Sequence, residues 1–502
     1  MAVDKLRSPD TPVARQSQSA PNAPIPMMVK VTAAVVAFGA FMSALTTTVF
    51  NAALQSISSE LGASMDTTHW VVTAYLLGYA AVIPVAGWAA QRLGAGRLWL
   101  LMLAIFTVLS AAGAFVNSIE LLITSRALLG MAGGLLVPAG QIVLGSSARR
   151  DQLGRIMSIM GIPIVLAPLL GPTLGGILIQ HLDWRWLFLV NVPLCVLGLI
   201  LGWFLLKRTG GAKAGKLDVF GLILAAVAMP LLTYGVSDIT VPGNSHVGMT
   251  AALIVIAVVL IAIFIAHALR SSNPLLELRL FKNKAFASAA ITSLSLGAVL
   301  YGTLALLPQY FEQARGESAL NAGLMVATQA IGALVATPIS GWLCDRFGGG
   351  RVVISGLILA LVATVPLALI GTTDSYWWLS VVFIARGVSI GLTVVPAMST
   401  TYAVVRKDQI AQATPQLNLM QRLGGSLGVS MLAVIYLDYL SGDGDHVTAQ
   451  ASAHAIGLTH YWVIGLTILA LIPAFVLSRA ERRTRAQAAA AEAAAEGNAA
   501  PV

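Results

Sequence analysis

The sequence predicts an all-α polytopic membrane protein with fourteen spans. Three observations carry this: a composition too apolar for water, fourteen apolar runs of spanning length, and basic residues that alternate sides between those runs. Of 502 residues, 57% are hydrophobic and 10% charged, and the mean hydropathy is +0.83. A soluble domain carries roughly 25% charged residues, so a water-exposed globule and a disordered chain are both excluded. Lipid is the solvent that fits. Two cysteines, Cys195 and Cys344, exclude a disulfide scaffold and a Cys-rich metal domain. The net charge of +9 reads as positive-inside bias rather than as a nucleic-acid surface.

Residues 1–29 are polar and rich in Pro, Ser, Gln and Ala, and read as a disordered tail without a cleaved signal peptide. Apolar runs near the ~20 residues that a spanning helix needs then follow. They cover 31–53, 70–90, 97–117, 120–145, 154–178, 185–206, 217–236, 249–269, 286–311, 319–343, 352–371, 377–401, 411–437 and 457–478. With both termini inside, 25 of the 30 Lys and Arg fall on the inner side and two, Arg185 and Arg315, on the outer. Arg126, Arg386 and Arg422 lie within spans. One missed or invented span would scramble this alternation, so both ends are expected in the cytoplasm. Beyond residue 478 the chain starts basic and becomes Ala/Glu-rich, as an anchoring tail would. Trp70, Trp184, Trp186, Trp377 and Trp378 near outer boundaries are expected to form an aromatic belt.

Two inner loops repeat each other. Pro84, Gly87, Trp88, Arg92, Gly94, Gly96 and Arg97 recur 254 residues later as Pro338, Gly341, Trp342, Arg346, Gly348, Gly350 and Arg351. Both copies follow an even-numbered span, as expected of parallel repeats related by an axis along the membrane normal. This divides the chain into bundles over 30–206 and 286–478, an inserted helix pair over 207–285, and tails at 1–29 and 479–502.

The repeated loop resembles the cytoplasmic loop signature of the major facilitator superfamily. The run Ala167-Pro168-Leu169-Leu170-Gly171-Pro172-Thr173-Leu174-Gly175-Gly176 resembles the antiporter motif of its exporters, and Arg126 with Gly130, Gly133 and Gly134 resembles its fourth-helix arginine motif. Asp183 to Pro193 is also typical. Fourteen spans with a central inserted pair resemble the drug:proton antiporter branch of EmrB/QacA type. The resemblance, over about residues 31–478, implies a major facilitator fold and efflux of drugs or toxic amphiphiles coupled to proton entry.

Each motif has a physical reading. Pro168 and Pro172 remove backbone donors and bend a helix, while Gly171, Gly175 and Gly176 give a flat face for close packing; the resemblance makes this a gate between the halves. The loop residues Gly87, Arg92, Gly94, Arg97, Gly341, Asp345, Arg346, Gly348 and Arg351 are expected to dock on neighbouring helix ends. The family's loop acid survives only as Asp345, Gln91 standing in the first copy. An arginine at bilayer depth is costly and usually functional, which singles out Arg126, Arg386 and Arg422.

No carboxylate falls mid-membrane. In the first span Thr46 stands where the family pattern has Asp, followed by Asn51, and Glu312, Asp438 and Glu120 at outer helix ends are the nearest candidate acids. Two readings of the substrate site stay open: an anionic or zwitterionic substrate with Arg126 as counter-ion, or a cavity of neutral polar groups including Gln141, Asn191, Gln309, Gln329, Asn418, Gln421, Tyr75, Tyr79 and Tyr301. The seven histidines read as residues of loops and helix ends, with no metal-ligand spacing.

No phosphate-binding loop or catalytic constellation is present in the sequence. The expectation is therefore a secondary active exporter of the bacterial cytoplasmic membrane, not an enzyme. It needs no cofactor or metal, with the proton as coupling ion. Its partners are the bilayer and a small-molecule substrate, without nucleic acid. The resemblance leaves a periplasmic adaptor protein open, and a monomer is the default. Two alternatives are an anionic-metabolite exporter using Arg126 and a transporter-like membrane sensor that moves nothing.

Overall fold

The computed structural model describes residues 25–149, 152–206, 214–238, 247–441 and 448–497, less a few side chains within helices. The expected N-terminal tail lies outside them up to residue 24. Among the described residues there is helix and no strand. Thirteen helices are long and apolar enough to cross a membrane. A further helix of 29 residues, Leu153–His181, stands at the expected fifth span.

The first half consists of α1 (Met27–Thr48), α2 (Leu54–Leu61), α3 (Met65–Val82), α4 (Ala86–Leu93), α5 (Ala95–Gly113), α6 (Ile119–Ser147), α7 (Leu153–His181), α8 (Trp186–Leu189) and α9 (Asn191–Leu205). The inserted pair is α10 (Val219–Asp238) and α11 (Val247–Arg270). The second half holds α12 (Lys284–Gln309), α13 (Ala319–Phe347), α14 (Gly349–Ala368), α15 (Tyr376–Val404), α16 (Ile410–Ser441) and α17 (Ala449–Gly497).

The repeat reaches further than the loops. Ser64 and Ser318, again 254 apart, both cap a helix by accepting the N–H three residues on, from Thr67 and Asn321. Gly62 and Gly316 before them, and Gly94 and Gly348 in the loops, all take positive φ, between 62° and 92°. Only glycine enters that region without steric cost, so both bundles turn their second and third spans on equivalent glycines. The copies differ at the proline. A 3₁₀ turn, Ile83–Val85, interrupts the first at Pro84, whereas α13 runs through Pro338.

The first span departs from the expected run over 31–53. Its α-helix ends at Thr48 and continues as a 3₁₀ turn, Val49–Ala53. Thr46, Thr47 and Thr48 each bond back to a carbonyl three or four residues earlier, a habit that bends helices. Here it coincides with capture of the Thr46 carbonyl by Arg126.

Helices pack within each half, α3 on α6 and α1 on α7 in the first, α13 on α15 and α12 on α16 in the second. The halves meet along a seam where α7 lies on α13 and α15, and α4 on α16. The inserted pair stands outside this seam. α10 touches α3 on one half, where Trp70 stacks on Tyr234 at 5.4 Å, and α16 on the other, where the Ser430 hydroxyl donates to the Val236 carbonyl at 2.5 Å. α11 packs mainly on α10 and leaves Val255, Ile256, Val258 and Val259 exposed, as a lipid-facing helix does. Asp218 ties the pair at its basic end, accepting from the Gly221 and Leu275 amides and pairing with His267.

Three side-chain expectations change. Trp184 is 1% exposed and donates to Glu60 at 2.8 Å, so it is a core residue and not part of a belt; Trp186, Trp377 and Trp378 stay exposed. His460 is not at a helix end. It lies 11 residues into α17, fully buried, with Nδ1 on the Ile456 carbonyl at 2.8 Å. The segment beyond residue 478 continues α17 to Gly497 and docks, with Glu481 only 3% exposed.

Candidate functional site

The basic face is where the halves lock. Asp345, near the end of α13, crosses the seam to the start of α7. Its oxygens accept from the Gly154 amide at 2.9 Å, the Arg155 amide at 3.4 Å and Arg155 Nε at 2.7 Å. A carboxylate at a helix N-terminus gains from the orphan amides and the dipole. The approach is close because both partners are glycines: a Cβ on Gly154 would stand 2.5 Å from the Gly341 carbonyl oxygen, and one on Gly341 2.7 Å from that of Gly154.

The first loop makes the counterpart contact. A Cβ on Gly87 would meet the Ala411 carbonyl oxygen at 2.6 Å, at the start of α16. Gln91 stands where Asp345 does in the repeat, so the first contact has the glycine without the anion. Arg92 and Arg97 make no ion pair among the described residues, and Arg346 stacks on Trp342 and Phe347 at 5.2 Å. Arg351 is exposed on α14. The tail helix completes the second lock. Glu481 accepts from Gly349 at 3.1 Å and Gly350 at 2.8 Å, capping α14 just past Gly348, and Arg485 bonds Glu481 at 2.8 Å and the Cys344 carbonyl at 3.0 Å.

Of the antiporter-motif glycines, Gly171 packs tightest. A Cβ there would lie 2.0 Å from Thr48 Oγ1, so the motif docks α7 on α1 inside its own half. Gly175 is buried, but Gly176 is exposed with nothing within 4 Å of its would-be Cβ and forms no packing face. The side chains of Pro168 and Pro172 lie outside the described residues, and α7 is helical through both positions. Further along α7 than Gly154, Gly161, outside the motif, also meets the other half; a Cβ there would come 2.1 Å from Val395 Cγ2.

The three buried arginines have different surroundings. Arg126 is fully enclosed in the first half. Nε donates to the Val71 carbonyl at 3.0 Å and Nη2 to that of Thr46 at 3.1 Å, while the guanidinium lies 4.0 Å from the Phe50 ring centroid and 4.4 Å from that of Tyr75. Asn191 braces Thr46 Oγ1 at 3.4 Å, and Tyr75 donates to the Ser43 carbonyl at 2.8 Å. Carbonyls and ring faces thus take the place of a counter-ion at Nε and Nη2, while Nη1 has no hydrogen-bond partner among the described residues. The side chain of Asn51 lies outside the described residues. Arg386 is 5% exposed and donates to Thr364 Oγ1 at 2.5 Å. None of the ion pairs among the described residues involves Arg126, Arg386 or Arg422.

Arg422 is the one on the seam. It projects from α16 over the ring of Tyr79 on α3, 3.8 Å from its centroid, and joins the halves. One turn towards the basic face, Asn418 donates to Gln141 Oε1 at 2.6 Å, again across the seam, and Gln141 Nε2 points at Met398 Sδ at 3.5 Å. Gln141 and Met398 line a narrow apolar cavity with Met157, Met160, Ile164 and Val395. Gln309, half-buried, and Gln329, buried, each with one buried unpartnered atom, belong to the second half. Glu312 is exposed in the π-helical turn that ends the ninth span.

Two helical bundles with a polar seam, locked at one face by glycine contacts and a crossing carboxylate, define a polytopic transporter of the two-bundle type. The family model of the Major Facilitator Superfamily matches residues 36–429. A protein of Mycobacterium tuberculosis (strain ATCC 25618 / H37Rv) named "Multidrug resistance protein B homolog" is 33% identical over 434 residues, 85% of this chain and 79% of the relative. The "Uncharacterized MFS-type transporter YhcA" of Bacillus subtilis (strain 168) is 28% identical over 415 residues, 83% of this chain and 77% of the relative. Among solved structures, the human organic anion transporter MFSD10 (TETRAN) superposes with a TM-score of 0.61 at 15% identity, over 90% of this chain and all of that one, and shares the fold. The chain belongs to the Major Facilitator Superfamily.

Proposed function

We propose that this protein exports amphiphilic small molecules by alternating access, driven by proton entry. The observation that carries the reading is the seam. It is closed at the basic face by one crossing carboxylate and glycine contacts, while polar groups of both halves, Gln141, Asn418, Arg422 and Tyr79, meet at mid-depth. Binding near the midplane between rocking repeats is how such folds move a solute. The name carried by the M. tuberculosis relative supports a drug-like cargo. The sequence holds no phosphate-binding loop, which favours an ion gradient over ATP as the energy source.

The test is retention of labelled amphiphiles by efflux-deficient cells expressing the protein, with and without a protonophore. Lower retention than in empty-vector cells, restored by the protonophore, is the expected result. Equal retention across a panel of cations, anions and neutral compounds would overturn it.

A further inference from the structure

We propose that Arg422 with Tyr79 and Tyr301 forms an anion-recognising subsite on the seam, and that the cargo class it selects is aromatic carboxylates and similar organic monoanions. This inference rests on the export reading above and assigns its substrate chemistry.

Depth comes first. α16 begins at Ile410, so Arg422 lies about 18 Å along it at 1.5 Å per residue. Tyr79 is 14 residues into a span that covers Met65–Leu93 and is equally central. The subsite is therefore near the midplane.

The second element is charge. Arg422 is half-buried, in contrast to the enclosed Arg126 and Arg386. No ion pair among the described residues includes it. An unpaired guanidinium at that depth is costly, and a ring face offsets only part of that cost. A ligand carboxylate would supply what is absent, two parallel N–H···O bonds in a low-dielectric setting. The same charge repels cations from the seam.

The third element is the aromatic wall. Tyr79 lies under the guanidinium, and the Tyr301 ring lies against Gly425, three residues on from Arg422, where a Cβ would stand 2.7 Å from it. Tyr301 is 38% exposed and offers a free edge for a ligand ring. Below them the Asn418–Gln141 bond closes the seam towards the basic face. The wall also reaches inward: Tyr79 and Tyr75 have ring centroids 6.3 Å apart on α3, and Tyr75 flanks Arg126. A ligand on Arg422 thus presses on the helix that Arg126 braces.

The experiment measures binding directly, by equilibrium dialysis of the full-length protein in nanodiscs against three radiolabelled probes of matched shape. These are the anion 1-naphthaleneacetate, the neutral 1-naphthaleneacetamide and the cation 2-(1-naphthyl)ethylammonium. Wild type is expected to bind the acetate at least tenfold more tightly than the cation. Arg422→Gln should lose that preference, and Arg422→Lys should keep most of it. Size-exclusion elution and thermal unfolding of each variant show that it is folded. If Arg422→Gln misfolds, Tyr301→Ala and Tyr79→Phe carry the test through weaker acetate binding with charge preference kept. Equal acetate binding by folded wild type and Arg422→Gln, tighter binding of the cation to wild type, or no saturable binding of any probe would each overturn the subsite. Export by cells without charge preference would leave the transport reading standing and remove this one. Charge-selective binding with no export in cells would do the reverse.

Discussion

Replacing Asp345 by Asn tests the lock at the basic face, and the protein carries its own reporter. Asp345 accepts three hydrogen bonds across the seam, two from amides at the start of α7 and one from Arg155 Nε at 2.7 Å. Hydrogen bonds to a charged group contribute about 1.5–3 kcal/mol, and the carboxylate's placement at a helix N-terminus adds about 0.3–1 kcal/mol. Arg155 is 24% exposed at its side chain and Asp345 10%, so solvent screening discounts the Coulomb part. A loss of about 2–3 kcal/mol in the closed state is the balance, which corresponds to roughly 30- to 150-fold in the open-to-closed ratio. Cys344 reads that ratio. Its side chain is 2% exposed, and Gly154 of the other half presses on it, a Cβ there standing 2.7 Å from Cys344 Cβ. In a Cys195→Ala background, N-ethylmaleimide in inside-out vesicles should alkylate Cys344 slowly in the parent and tens of times faster with Asp345→Asn. Arg155→Gln should give a smaller increase, and the double variant less than the sum. An unchanged rate in Asp345→Asn would refute the claim that this carboxylate holds the halves together.

Four further outcomes follow from the same geometry. Gly161→Val should raise Cys344 alkylation and abolish export while elution stays monodisperse, because its Cβ would stand 2.1 Å from Val395 in the closed seam. Glu481→Ala should free the tail helix at a cost of about 2–3 kcal/mol, seen as faster tryptic cleavage at Arg482 and Arg483; unchanged cleavage would show that the tail does not dock. Arg126→Ala removes the donors to the Thr46 and Val71 carbonyls and leaves a cavity. It should lower unfolding stability by about 3 kcal/mol or more and abolish export; export at the parent rate would remove Arg126 from the machinery. Burial pushes the Asp218 carboxyl up, but the Gly221 amide, His267 and the Leu275 amide outweigh it and hold its pKa below the ordinary value. Its contribution to anchoring the inserted pair is then complete above the ordinary aspartate pKa and is lost only as pH falls through the lowered one. Amide protection at Gly221 and Leu275 should persist at pH 5 and be absent in Asp218→Asn; equal protection in both proteins would sink this reading.

The span pattern was legible in the sequence because lipid imposes a single requirement, about 20 apolar residues per crossing, and positive charge marks the turns. The repeat was legible at its loops, where glycine and arginine have backbone and charge reasons to stay. It was less visible at Gly62, Ser64, Gly316 and Ser318, whose shared role is a φ angle and a cap and not a motif. The mid-span chemistry was harder to read. Arg126, Arg386 and Arg422 look alike as letters, and only packing separates an arginine solvated by carbonyls from one left at the seam. His460 reads as a helix-end residue because the Ala/Ser-rich stretch before it, 449–456, lacks the hydropathy of a span core but still packs as helix. Spacing alone suggests a packing role for Gly176, yet spacing does not say which face meets a neighbour. Trp184 is indistinguishable from a belt residue in the sequence because a boundary tryptophan reads the same whether its indole N–H finds lipid headgroups or Glu60.

The two locks at the basic face are built on one plan with one difference, and the difference has a mechanical consequence. Each loop lays a glycine against the first turn of a helix in the opposite half, Gly341 on Gly154 and Gly87 on Ala411. Only the second loop adds an anion, with Gln91 in the place of Asp345, and only the second is buttressed from behind by the tail through Glu481 and Arg485. Close glycine contact supplies dispersion alone, about 0.1–0.2 kcal/mol per atom pair, whereas the Asp345 side carries charge-assisted bonds. Opening therefore costs less where α4 meets α16 than where α13 meets α7. The weaker contact is on the same helix as Arg422, 11 residues from Ala411, and α10 stands against that helix further along. Movement of α16 at its basic end is transmitted along a continuous helix to the guanidinium over Tyr79. The side of the seam that lacks the anion is thus the side that carries the unpaired cation, and the two are coupled through one rigid element.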